Sequence, residues 1–474
     1  MVSFTLKECA FSVPRLNSRF IKIIGQLSSN IAGSIPTCGV VWSQIKAIYR
    51  FLSNPRVHFT AIVHSEQNRL ITEMANSESK VYYHLQDTTT LNFSSQKGRY
   101  DLPCLSGIEQ RGLFLHSSMV LNEQEIFVGL LNQDIWGREE KDLVKSARSK
   151  TRYEEAVPIE TKESNRWVHN FELFQGFMMG LPNSHGISIS DAESDFYEFF
   201  LARKALNVDL LVRVHHNRLL LESDSKLLES VANQACCGQA WMECLKADKH
   251  NKRSVELEIR FKKVRFPIPK NLQWGQAAPL IAKKRCDEIV ANGHLTLYVV
   301  QAKEINAPEG VKPIEWTILT TLTINDYWDA LSAVQKYALR WQIEIFHLVL
   351  KEGCRVENLQ LEKQERLENA IAIYSIIAMS VLKIKHLTDK CPEKLMTITG
   401  FSKQDYLILS QYLAFNHSFK APKTEDPTVL QFAQILIIIS GGSPKNLGIR
   451  QLWKGLAKAN TILNTAYAFI KPDT

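Results

Sequence analysis

Val81-Tyr-Tyr-His-Leu-Gln-Asp87, followed at once by Thr88-Thr-Thr90, is a short apolar and aromatic run that ends on a carboxylate. Its residue types favour a strand, and its continuous apolar character fits a strand covered on both faces. A second run, Gly186-Ile-Ser-Ile-Ser190, ends the same way at Asp191 and is followed by a helical pattern at Phe196, Phe199 and Phe200. Two strands that each deliver an acid at their ends set the expectation for the whole chain.

Around these two runs the pattern changes in blocks. Gly112 to Leu121 and Glu125 to Leu131 read as strands and suggest an antiparallel meander after the first acid. The stretch from Gly137 to Asn165 is charged and without period. Between Val208 and Thr323 the period is mostly two: Val255, Leu257, Ile259 and Phe261 alternate with Glu256, Glu258, Arg260 and Lys262, and Leu295 to Val300 is rich in strand formers. From Asp326 the period is helical to the end. Residues 1–73 are helical as well, with Phe20, Ile23, Ile24 and Leu27 at helical spacing and a further helix over Trp42 to Leu52. The fold class is therefore mixed α/β, with helical regions flanking a strand-rich middle.

At 474 residues the chain is too long for one hydrophobic core, so several domains are expected. Its formal charge of +8 suits a polyanionic partner without establishing one. Nine cysteines at irregular spacing point to reduced thiols in a cytoplasmic compartment. Only Cys236, Cys237 and Cys244 cluster, and no paired Cys or His accompanies them as a zinc site requires. The apolar runs Ala370 to Leu382 and Ile435 to Ile439 fall short of the roughly 20 residues of a membrane span and read as buried helices.

Phosphodiester chemistry on two divalent ions needs acceptor-only oxygens that converge on ions about 3.5–4 Å apart. Two acids at strand ends and a third on a crossing helix could supply them, although an Asp after a strand also serves as a turn former or helix N-cap. The third candidate is Glu344 in Tyr337-Ala-Leu-Arg340-Trp-Gln-Ile-Glu344-Ile-Phe-His347-Leu-Val-Leu-Lys351. If this is one helix at about 100° per residue, Tyr337, Arg340, Glu344 and Lys351 share an arc of about 60°. Such a face could bind metal through Glu344 and grip phosphates through Arg340 and Lys351. It could equally be a solvated face with an Arg340–Glu344 pair.

Tyr337-x2-Arg340-x3-Glu344-x6-Lys351 resembles the Tyr-Arg-Glu-Lys signature of bacterial cut-and-paste DDE transposases of the insertion-sequence superfamily. Ile48-Tyr-Arg-Phe-Leu-Ser-Asn-Pro-Arg-Val57, Asp87-Thr-Thr, Lys162-Glu-Ser with Trp167, Asp191-x3-Asp195, Val212-Arg213, and Glu304-Ile-Asn-x-Pro-x-Gly with Trp316 recur in the same order. The likeness covers about residues 40 to 365. It implies a ribonuclease-H-like catalytic core with a β-strand insertion at about 215–325, within a catalytic domain at 74–369. It further implies an N-terminal helical end-binding domain at 1–73 and a C-terminal helical dimerisation domain at 370–474.

On that resemblance Asp87, Asp191 and Glu344 would hold two Mg²⁺ ions, with Mn²⁺ able to substitute. Tyr337, Arg340, Lys351 and Arg213 would contact DNA, and Trp316 would stack on a flipped base. The implied partners are double-stranded DNA, at transposon ends and target, and a second copy of the chain, with no membrane. The implied location is the cytoplasm, in association with the nucleoid. The implied reaction is end cleavage through a hairpin intermediate followed by strand transfer. A two-metal nuclease without strand transfer and a catalytically silent DNA-binding inhibitor or domesticated relative are the other readings of the same residues.

Overall fold

The computed structural model describes residues 5–28, 31, 33–37, 41–96, 101–107, 109–140, 159–221, 225–245, 252–269, 290–291, 293–416 and 424–470. Most of the aperiodic stretch after Gly137 lies outside them, as do Cys38 and Cys286. The chain divides by its contacts into two compact units. One comprises Met1–Ser77, Thr88–Ala147 and Glu344–Thr474; the other comprises Glu78–Asp87 and Arg148–Ile343. The chain thus crosses from one unit to the other directly after Asp87 and directly before Glu344.

The strands are β1 (Val81–Asn92), β2 (Gly112–Leu121), β3 (Phe127–Trp136), β4 (His185–Ser190), β5 (Val208–Arg213), β6 (Gly238–Leu245), β7 (Lys252–Pro267), β8 (Val290–Ala291), β9 (His294–Ile305) and β10 (Glu315–Thr320). In the Glu78–Asp87 and Arg148–Ile343 unit the order is β1-β4-β5-β10-β9-β7-β6, with β8 on β9. β1, β4 and β5 are parallel; β5, β10, β9, β7 and β6 follow as antiparallel neighbours. β1 from Tyr82 to Gln86 and β5 from Val208 to Val212 are buried at every position, which explains why neither alternates in sequence.

Helices pack on both faces of this sheet. Phe174 of the Asn165–Met179 helix stacks on His84 at 4.7 Å, so His84 marks one face of β1, and Leu85 and Asp87 share the opposite face. His84 also bonds the Ser188 hydroxyl at 2.9 Å, and burial lowers its pKa to about 3. The Tyr327–Ala338 helix lies along β6, β7 and β9. It begins where Asp326 caps it, its side chain accepting from the amides of Trp328 and Asp329. Gly238 leaves room for the Tyr327 ring, which a Cβ would meet at 2.5 Å, and the Tyr327 hydroxyl donates to the Gln239 carbonyl at 2.7 Å.

The other unit holds β2 and β3 as an antiparallel pair, with the last residues of β1 beside β2 through Thr88 and His116. Its helices are Pro14–Ser28, Trp42–Leu52, Phe59–Ala75, Gln364–Lys390, Lys403–Asn416, Val429–Ser440 and Ile449–Ile470, together with most of Trp341–Leu348. A buried cluster ties three of these elements together. Arg69 pairs with Glu66 at 2.6 Å and donates to the Val128 carbonyl of β3 at 2.7 Å, while Lys383 reaches Glu73 at 2.7 Å. Asn369 donates to the carbonyls of Leu52 and Val57, and Asn460 to that of Ser28.

Two expectations need correction. β1 does not stop at Asp87 but runs on through the β-branched Thr88, Thr89 and Thr90 to Asn92. The apolar run expected over Ala370 to Leu382 is part of a 27-residue helix, Gln364–Lys390, which by length and composition could cross a membrane, yet 89% of its apolar window is buried inside the protein.

Candidate active site

The strand registers gather the sequence-nominated residues into one row. β1 pairs with β4 up to Leu85↔Ile189, and Asp87 and Asp191 each follow two residues later. β4 pairs with β5 up to Ser190↔Val212, and Asp191 and Arg213 each follow next. β10 then sets Ile318 opposite Arg213, and Trp316 lies two residues beyond on the same face. With neighbouring strands about 4.8 Å apart, two carboxylates and a guanidinium come near one another where β4 and β5 end and the pairing of β1 with β4 stops, the usual end of such a sheet for a site.

The two acids are held differently. Asp191 caps the turn Ala192–Ser194, its Oδ1 accepting from the Glu193 amide at 2.9 Å, and its Oδ2 has no hydrogen bond among the described residues. The bland N-cap reading is therefore correct for one oxygen and leaves the other available. Asp87 faces Arg340 at 3.7 Å, both side chains being about 15% exposed. Four residues after Asp191, Asp195 is closed off: Oδ2 accepts from the amides of His215 and His216, and Oδ1 pairs with Arg218 at 2.6 Å. Arg218 also donates to the Asp195 carbonyl at 2.7 Å and sits over the Tyr197 ring. Asp195 thus fixes the chain just beyond Arg213. It was visible in sequence only as part of Asp191-x3-Asp195.

Tyr337, Arg340 and Trp316 complete the row. The Tyr337 ring meets Trp316 edge to face, centroids 5.6 Å apart. Tyr337 is 2% exposed and, among the described residues, no hydrogen bond of ordinary geometry reaches its hydroxyl, the Arg340 guanidinium being the polar group nearest in effect. Burial pushes its pKa up to about 12, with Arg340 and Arg213 opposing the rise and Asp191 adding to it. Trp316 is half-buried and follows a clasped loop. The Glu304 amide donates to the Ile314 carbonyl, the Ile314 amide donates to Glu304 Oε2 at 2.8 Å, and Arg253 pairs with both Glu304 oxygens. Asn306 and Gly310 take positive φ in that loop, near 60° and 73°.

The helix expected from Tyr337 to Lys351 is not continuous. One helix ends at Ala338, and Leu339, Arg340, Gln342 and Ile343 each donate to the residue three before, which tightens the chain. A second helix runs Trp341–Leu348, and Val349–Gly353 then widens into a π turn. An arc drawn at uniform pitch therefore does not apply. Arg340 sits in the tight turn, whereas Glu344 and Lys351 lie beyond the unit boundary. Lys351 is part-buried, its pKa lowered by burial and raised in part by Glu357. Glu344 is half-buried in the first turn of the second helix.

The structure therefore brings Asp87, Asp191, Arg213, Trp316, Tyr337 and Arg340 together in one unit and carries Glu344 and Lys351 in the other. Among the described residues no three His, Cys, Asp or Glu side chains are gathered as a metal pocket, the Cys236–Cys237 region included. The donor chemistry of the Asp87–Asp191 pair fits a hard divalent cation: two adjacent carboxylates, both reachable, one with an open oxygen.

Two acids near the ends of paired parallel strands, flanked by guanidinium groups and an aromatic ring, are groups able to hold a divalent cation and a phosphate. Residues 2–57 match the family model described as Transposase DNA-binding, and residues 202–380 match that described as Transposase DDE domain. The chain is accordingly a DDE-type transposase enzyme with DNA as its partner, and such domains use divalent metal ions. The second match spans Arg213, Trp316, Tyr337, Arg340, Glu344 and Lys351 and begins after both aspartates.

Proposed function

We propose that the chain is a cut-and-paste transposase of the Tyr-Arg-Glu-Lys group, most like that of the composite transposon carrying kanamycin resistance. Asp87, Asp191 and Glu344 are its metal-holding acids. The observation that supports this reading is the pairing of β1, β4 and β5 up to Leu85↔Ile189 and Ser190↔Val212, with Asp87, Asp191 and Arg213 following within two residues of those pairs. A ribonuclease-H-like core is supported by the same strands, a meander through β1, β2 and β3 followed by two strands parallel to β1. Residues 1–73 would bind transposon ends, 74–369 carry the chemistry with the β-rich insertion at about 215–325, and 370–474 pair two copies in the cytoplasm on the nucleoid.

The three acids would hold two Mg²⁺ ions, or Mn²⁺ in their place. When bound, such ions activate a nucleophile and stabilise the leaving oxygen. The protein's own groups do the rest. Arg340 balances the Asp87 charge and offers a fork to a DNA phosphate, while Arg213 gives a second cation at the end of β5. Lys351, its charged form disfavoured by burial, would gain from a neighbouring phosphate. Trp316, backed by Tyr337, is placed to stack on an extruded base, worth about 1–3 kcal/mol, and so to favour the hairpin route. Cleavage frees a 3′-hydroxyl, which attacks the opposite strand to close the hairpin; after opening, the same hydroxyl joins target DNA.

The test is incubation of the purified chain with Mg²⁺ and duplex DNA from the flanks of its own gene, followed by separation of nicked, hairpin and joined products. All three are expected. Nicks without joining would reduce the activity to that of a nuclease, and binding without any cut would leave a silent DNA-binding protein.

A further inference from the structure

Cys236 and Cys237 stand next to each other in the loop that joins the Leu227–Ala232 helix to β6, the edge strand furthest from β1 and β4. Among the described cysteines, Cys9, Cys104 and Cys354 are buried and Cys391 is half-buried; Cys236 and Cys237 alone are exposed, and both are free thiols. Exposure is what lets a thiol meet an oxidant, and a second thiol beside it lets the first step be resolved within the chain. Cys244 is seven residues beyond Cys237 along an extended strand, roughly 24 Å at about 3.4 Å per residue.

Each of the two thiols is held by a single weak bond to a main-chain carbonyl. Cys236 Sγ donates to the Gly238 carbonyl at 3.2 Å, and Cys237 Sγ donates to the Ile259 carbonyl of β7 at 3.1 Å. The Ile259 carbonyl also accepts from the Cys237 amide at 2.9 Å, so it keeps a partner when the thiol turns away. Cys237 can therefore swing toward Cys236 without stranding a ladder carbonyl. The two sulfurs act on each other: burial raises the Cys237 pKa and Cys236 raises it further, with a backbone bond and Arg260 opposing. Directly after the pair the chain is fixed, because Gly238 lies under the Tyr327 ring and the Tyr327 hydroxyl donates to the Gln239 carbonyl. Neighbouring Cα atoms are about 3.8 Å apart, short of the roughly 4.4–6.8 Å that disulfides usually span, so a bond closed between them is strained and readily reduced.

We propose that Cys236 and Cys237 form a reversible redox site, which a low-molecular-weight disulfide such as oxidised glutathione closes into a disulfide between the two neighbours. The Cys236 thiolate, the more open of the two, attacks the small disulfide, forms one S–S bond and expels one small thiolate. The Cys237 thiolate then attacks Cys236 Sγ, closes the ring and expels the second small thiolate. The protein gives up two electrons and two protons, and the small disulfide becomes two thiols. An excess of small thiol runs both steps backward. The site thus reads the thiol balance at the seat of the Tyr327–Ala338 helix.

The test equilibrates the full reduced chain with glutathione buffers of increasing oxidised fraction, quenches in acid, alkylates the remaining thiols and maps the tryptic segment 227–246 by mass spectrometry. With oxidised glutathione in excess, the segment should lose two alkylatable thiols and two hydrogens while carrying no glutathione. Both thiols should return when reduced glutathione is restored. C244S should behave like the unaltered chain, whereas C236S and C237S should each form no internal disulfide. An internal disulfide that persists in C236S would assign the bond to Cys244 and overturn the site. A lasting glutathione adduct on the unaltered chain, a disulfide between two chains, or thiols that stay fully alkylatable in every buffer would overturn it as well. These readings need no DNA, so the transposase assignment stands or falls separately.

Discussion

Asp191 and Asp195 are four residues apart on the same turn and have opposite fates. Asp195 has a side chain with no exposed surface, two backbone amides on one oxygen and Arg218 on the other. Asp191 uses one oxygen as a cap, keeps the other without a hydrogen bond among the described residues, and directly follows β4, the strand between β1 and β5. The first acid builds the loop; the second is presented by it. A buried carboxylate with both oxygens engaged is a structural group, whereas one with spare coordination beside a strand end is a candidate for chemistry.

The contrast can be broken by substitution. Asp191→Ala should cost at least about 10³-fold in cleavage, equivalent to roughly 4 kcal/mol of charge stabilisation. Its thermal midpoint should move little, since only one cap bond is lost. Product formation on end DNA and a melting curve read the two effects, and a variant that keeps cutting would merge Asp191 with the structural acids. Asp195→Ala should do the reverse at the level of folding, losing about 3–5 kcal/mol by stranding Arg218 and two amides. Denaturant titration measures this, and a loss under 1 kcal/mol would show that the loop is held by something else.

Much of this contrast was legible before any coordinates. The apolar runs into Asp87 and Asp191 declared themselves because a strand buried on both faces needs continuous apolar residues, and the Trp42–Leu52 helix matches its periodicity end to end. The helix carrying Glu344 was less readable. Its break arises from bonds to the third residue before, through Leu339 to Ile343, and from the π turn after Leu348, and neither a Pro nor a Gly marks it before Gly353. The role of Asp195 was hidden because its partners, His215, His216 and Arg218, come from a loop twenty and more residues away.

Acid stability sharpens the comparison further. His84, His347 and His386 are buried and burial lowers each pKa to about 3. Each therefore contributes stability above its unfolded value near 6.5, and that contribution fades as pH falls from there toward 3. Each can change the unfolding free energy by up to about 1.4 kcal/mol per pH unit in that window. Calorimetry of His84→Gln should show a shallower acid slope than the unaltered chain; an identical slope would mean that His84 is accessible to protons without unfolding.

The smallest expected effect is at Tyr337. Its hydroxyl is buried and has no hydrogen bond of ordinary geometry among the described residues, so Tyr337→Phe should change stability by less than about 1 kcal/mol near neutral pH. The raised pKa adds a signature. Folded stability of the unaltered chain should fall as pH rises from about 10 to about 12, and the Phe variant should lose less there.

Metal binding tests the acid row most directly. Mn²⁺ would be titrated into the full chain with its gene-flank duplex and followed by electron paramagnetic resonance, for the unaltered chain and for Asp87→Asn, Asp191→Asn, Glu344→Gln and Asp195→Asn. The account predicts that each of the first three loses bound Mn²⁺ together with cleavage, and that Asp195→Asn, where it folds, retains the ion. Full Mn²⁺ occupancy and cutting in either Asp87→Asn or Asp191→Asn would contradict it.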